Sequence, residues 1–138
     1  MKKIFLLSFL LFLLFSCSTD NDSVSFYEEP LPIESVIVPQ SFQFGEVFPI
    51  EVNYYRPTGC HIFNNFLVDN NDNESTVILL NTVYEDLDCE TFGADSGLTQ
   101  ATFNYQVNTI ETHIFKFWQG KDVNGSDLYL IVEVPVDE

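Results

Sequence analysis

Between Ile33 and Val134 the apolar residues fall at every second position in short runs, and turn-forming residues break those runs apart. Phe48-Pro49-Ile50-Glu51-Val52-Asn53-Tyr54 alternates in this way, as do Ala101 to Val107, His113 to Gln119 and Leu128 to Val134. A period of two puts successive side chains on opposite faces of an extended strand, so one face of each run is buried. Ser35 to Val38, His61 to Val68 and the Val-, Ile- and Leu-rich stretch Thr76 to Tyr84 complete a set of seven strands. Pro49 cannot donate to a ladder, which places the start of its strand at an edge or bulge. No segment carries the 3.6-residue period of an amphipathic helix. The separators are Arg56-Pro57-Thr58-Gly59, the loop Asp69 to Asn73, a thirteen-residue acidic connection from Glu85 to Gly97, and Asp122-Val123-Asn124-Gly125, where Asn-Gly suits a type I′ hairpin turn. Short strands at this spacing make an all-β sandwich or barrel, here of about seven antiparallel strands.

Upstream of Ile33 the pattern is different. Met1-Lys2-Lys3 is basic, and Ile4 to Phe15 is apolar apart from Ser8. This run is shorter than the ~20 residues a membrane-spanning helix needs, and a basic start, an apolar stretch and a small residue before the break mark an export signal. Ser18 to Leu31 is polar and acidic, ends in Pro30-Leu31-Pro32 and reads as a tether. The expected organisation is a signal peptide over 1–16, a lipidated cysteine and flexible acidic linker over 17–32, and one β domain over 33–138. The chain of 138 residues has room for a single domain. Its 21 acidic side chains face 5 basic ones, which argues against a nucleic-acid backbone or an anionic lipid surface as partner. Loss of Lys2 and Lys3 with the signal leaves Arg56, Lys116 and Lys121 as the cations of the mature chain.

Leu14-Phe15-Ser16-Cys17 resembles a bacterial lipobox, and the acids that follow resemble the surface-export signal of Bacteroidota lipoproteins. The resemblance implies cleavage before Cys17, acyl chains on that cysteine, and attachment to the outer membrane at the cell surface of a Gram-negative bacterium. Each buried CH₂ of such chains contributes about 0.8 kcal/mol. Arg56-Pro57-Thr58-Gly59-Cys60-His61 and Phe115 to Asp122 are similar to segments of small immunoglobulin-like lipoproteins from that group, which implies an immunoglobulin-like sandwich. That resemblance brings no activity with it.

With Cys17 carrying lipid, Cys60 and Cys89 remain. The strand after Cys60 and the strand before Cys89 form one hairpin, whose ends lie close enough for a disulfide in an oxidising compartment. A thiol nucleophile is disfavoured because neighbours on a strand, such as Cys60 and His61, point apart. Zinc is disfavoured because Cys60, His61, Cys89 and His113 lack a compact ligand spacing.

No Gly-x-Ser-x-Gly elbow surrounds any serine, and no catalytic constellation is visible. Asp69, Asp72 and Glu74 are a weak candidate for calcium, set against the simpler reading of a solvated loop. Trp118, Tyr129 and Tyr55 fall on the parity opposite the core and are weak candidates for stacking on a sugar or meeting a protein. The expected function is that of an outer-membrane lipoprotein acting as a binding or accessory module, with no cofactor beyond its lipid. The alternatives are a calcium-dependent glycan-binding module or enzyme subunit using an acidic loop, and a purely structural envelope protein.

Overall fold

The computed structural model describes residues 24–137. The seven expected strands all appear, within a few residues at their ends. They are β2 (Ile33–Ile37), β4 (Val47–Tyr55), β5 (His61–Asn71), β6 (Glu74–Tyr84), β7 (Leu98–Gln106), β8 (His113–Lys121) and β9 (Asp127–Val134). Three more join them: β1 (Phe26–Leu31), β3 (Phe42–Gln43) and β10 (Val136–Asp137).

β1 corrects the tether. The linker expected to run to Pro32 enters the sheet at Phe26, because Phe26 to Leu31 pairs antiparallel with Tyr84 to Leu79. Two acids and a proline give this stretch the composition of coil. Glu28 accepts from Asn64 and Glu29 meets His61, so partners elsewhere in the fold hold both carboxylates on the strand.

The strands form a five-stranded sheet, a three-stranded sheet and the small β3–β10 ladder. In the larger sheet β6 is central. β5 lines one of its edges over the full length. The other edge is shared end to end, with β1 along Leu79–Tyr84 and β8 along Glu74–Val77, and β9 closes the sheet beyond β8. The smaller sheet has the order β2-β4-β7. The expectation of antiparallel strands throughout is corrected here: β6 with β8 and β3 with β10 are parallel. Alternation shows which residues share a face, but it carries no information on the direction of the neighbouring strand.

Two turns also differ from expectation. Asp69 to Asn73 is not an open loop. β5 runs on to Asn71, β6 starts at Glu74, and only Asp72-Asn73 turn the chain, with Asp72 at φ 54°. Asp tolerates the left-handed conformation such a tight turn needs. The Asn124-Gly125 hairpin is not a two-residue type I′ turn either. Lys121 pairs with Asp127 across a five-residue loop in which Gly125 takes φ 84°. The Asp122 carboxylate accepts from the Asn124 and Ser126 amides, which makes the wider loop self-supporting.

Both sheets contribute to one core. Ile33, Ile50, Val52, Tyr54 and Ala101 come from the smaller sheet, and Leu31, Val77, Leu79, Phe115, Phe117 and Val134 from the larger. Phe42, fully buried, lies against Phe48, Tyr105, His113 and Phe115 and fills the end near β3 and β10. The chain crosses between sheets at Pro32, which lies against Gly120 in the β8 bulge. Gly120 has φ 96°, and a Cβ there would sit 3.4 Å from the proline ring.

Candidate functional site

The cysteines form a disulfide. Cys60, just ahead of β5, and Cys89, just past β6, are bonded, with Cα atoms 5.5 Å apart. The hairpin brings them together as expected, since His61 pairs with Val83 at its open end.

Next to Cys60 stands a cluster that local sequence does not reveal. His61 is buried, its Nδ1 lies 2.9 Å from Thr58 Oγ1, and its Nε2 lies 3.0 Å from Glu29 Oε2. Hydroxyl, imidazole and carboxylate in series have the connectivity of a nucleophile, base and orienter. The surroundings favour a structural role instead. Thr58 Oγ1 also accepts from the Cys60 amide, so the hydroxyl ties down the turn before β5. Arg56 donates to the His61 carbonyl from the other side, with its guanidinium 5.3 Å from the Phe92 ring centre. Beside it the Tyr54 hydroxyl has its pKa raised by burial, against the lowering influence of the Arg56 cation and the Asn81 side chain.

Trp118 and Tyr129 are brought together, while Tyr55 is placed elsewhere. Trp118 pairs directly with Tyr129 on the outer face of the larger sheet. Its indole donates to Asp127 Oδ1 at 2.8 Å, and Lys121 reaches the same oxygen at 2.7 Å. These two donors hold the Asp127 carboxyl below its ordinary pKa, Lys121 contributing more than Trp118. On the other side of Trp118, one step beyond the Val77–Phe117 pair, stands Ile78, and Ile78 pairs with Leu67. A row of Leu67, Ile78, Trp118 and Tyr129 thus crosses the outer face, with Leu67 and Tyr129 exposed. Tyr55 lies on the smaller sheet, where it lines a shallow apolar hollow of about 180 Å³ with Arg56, Pro57 and Phe92.

A second cleft, of about 330 Å³, runs between the end of β5 and β7. Val68, Asn70 and Asp72 line one wall, and Phe103 to Gln106 with Asn108 line the other. Its volume lies in the range of ligand pockets, about 300–1,000 Å³. One signal in the sequence could have pointed to it: residues 98–106 contain no charged side chain in a chain with 21 acids.

Asp69, Asp72 and Glu74 are not gathered into a ligand set. The Glu74 carboxylate is taken by Lys116 Nζ at 2.6 Å, and among the described residues no three His, Cys, Asp or Glu side chains stand as a metal-binding group. Cys17 lies outside the described residues. Comparison with protein-family models, with curated proteins and with solved structures finds no match to this chain.

Proposed function

We propose that the protein is a lipid-anchored binding module of the outer membrane, exposed at the cell surface and holding its domain out to a protein partner. The observation that carries this reading is the Leu67–Ile78–Trp118–Tyr129 row. It presents apolar and aromatic surface on a sheet fixed by pairing on both sides. Aromatic side chains anchored by a polar tip, as Trp118 is by Asp127, are the residues that dominate protein interfaces. The lipobox-like segment ending in Cys17 supports the anchor, and the acidic surface supports an orientation away from anionic lipid.

The finer architectural reading is an immunoglobulin-like sandwich. The small β2-β4-β7 sheet packed on a larger sheet supports it, and the parallel β6–β8 neighbours make it a variant of that plan.

The test uses intact cells producing the wild type, Cys17→Ala and Trp118→Ser. Radiolabelled palmitate is expected in the wild type and Trp118→Ser and absent from Cys17→Ala. Surface cross-linking to a discrete protein is expected in the wild type and lost in Trp118→Ser. Palmitate in Cys17→Ala, or cross-linking indifferent to residue 118, refutes the reading.

A further inference from the structure

The ladder between β4 and β7 shows which backbone groups of β7 are used. At one end the Arg56 amide donates to the Gly97 carbonyl at 2.9 Å, and at the other the Val107 amide donates to the Glu46 carbonyl at 2.9 Å. Register is continuous across the nine pairs between them. In an antiparallel ladder the bonded positions alternate. Thr99, Ala101, Phe103 and Tyr105 therefore face β4, while Leu98, Gln100, Thr102, Asn104 and Gln106 direct their N–H and C=O groups to the opposite edge. Among the described residues no strand pairs with that edge.

Free edges invite pairing with another chain, and proteins guard them with charges, prolines or bulges. Among the described residues, the other edge strands of the two larger sheets are guarded. β1 carries Glu28, Glu29 and Pro30, β2 carries Glu34 and a register shift, β5 carries Asp69 and a shift at Phe63/Asn65, and β9 carries Asp127 and Glu133. β7 has no charge, no proline and no shift over nine residues, a length of about 30 Å. The 330 Å³ cleft lies along this edge, since consecutive residues of β7, Phe103 to Gln106, line it together with Val68, Asn70 and Asp72 from the β5 side.

We infer that the free edge of β7 is a docking site for an extended segment of another protein, which adds to the β2-β4-β7 sheet as a fourth strand. Main-chain hydrogen bonds supply the attachment and the cleft selects the side chain that enters it. The chemistry of the occupant follows from the two faces of the added strand. One face enters the cleft over Phe103, Tyr105 and Val68 and takes an apolar residue. The other lies beside Gln100, Thr102 and Asn104 and takes polar or basic residues, which also suit Asp72 at the cleft mouth and a chain of charge −16. That charge disfavours a second copy. The chain's own segment Cys17 to Ser23 is dominated by Asp, Asn and Ser, residues depleted in strands. This site lies on the sheet opposite the Trp118 row and stands or falls independently of the membrane anchor.

The probe is a displayed library of random twelve-residue peptides selected against the full chain. Enriched peptides are expected to alternate apolar with polar or basic residues. They should slow amide exchange at Gln100, Thr102, Asn104 and Gln106, and bind Thr102→Pro at least tenfold more weakly while binding Thr102→Val like the wild type. Proline at 102 removes an N–H that points to the free edge, so the β4 ladder survives; the exchange readout on the wild type holds even if that variant folds poorly. The inference is overturned by a library without extended peptides, by protection confined to other strands, or by equal binding to a folded Thr102→Pro. Concentration-dependent dimers abolished by Thr102→Pro would overturn it in favour of a second copy. So would a neutral oligosaccharide binding this cleft regardless of residue 102.

Discussion

Gly97 stands where the acidic connection enters β7, and its backbone carbonyl accepts from Arg56. A Cβ at this position would lie 2.6 Å from the Arg56 carbonyl oxygen, which is backbone and cannot swing away. Gly97→Ala must therefore push β4 and β7 apart at their first hydrogen-bonded pair. We expect it to destabilise the domain by about 1–3 kcal/mol, the usual cost of overpacking, read as a lower urea midpoint at unchanged slope. Single residues also explain what the sequence hides. Cys60 and Cys89 are legible as a pair because two thiols in a chain that reads as exported have few alternatives. The Thr58–His61–Glu29 cluster is not, because Glu29 is brought to His61 from 32 residues away by a strand whose own sequence has the composition of a tether.

The elements were largely readable, because alternation is a local property and seven strands keep it cleanly. What was missed depends on contacts between elements. β1 is stabilised as a strand by pairing along β6, and the parallel β6–β8 contact follows from how the chain crosses the molecule. The β8–β9 hairpin yields a pH prediction at this scale. Asp122 accepts from the Ser126 and Asn124 amides, and these bonds lower its pKa from the ordinary 3.8. A carboxyl with a lowered folded-state value stabilises the loop above its unfolded value and loses that contribution as pH falls through the folded one. The Asn124 and Ser126 amides should therefore exchange faster with solvent, relative to the rest of the hairpin, as pH drops below about 3.8. Asp122→Asn should remove that pH dependence. A loop whose relative exchange is flat across this range in the wild type would contradict the assignment.

At the scale of the whole molecule, the disulfide closes the β5–β6 hairpin with a sequence separation of 29 residues. The chain-entropy relation gives about 3–4 kcal/mol for a loop of this size. A domain this small is stable by about 5–15 kcal/mol, so the staple is a substantial share. Reduction, or Cys60→Ser with Cys89→Ser, should lower the free energy of unfolding by about that amount in urea titrations. An unchanged midpoint would show that the paired strands hold the hairpin closed unaided.

β1 has a mechanical consequence. It is the first element after the segment that contains Cys17, and it lies along β6 over six consecutive pairs before the chain crosses at Pro32 into the other sheet. Under the proposed lipid anchor, tension from the N-terminal side would enter the fold through that strand. A pull along β1 loads all six pairs together, where a pull across them would open one at a time. The same chain then continues into β2 of the other sheet, so a load on it reaches both layers. Under the proposed anchor, the load would thus enter the fold along a paired strand, the direction in which a ladder resists most.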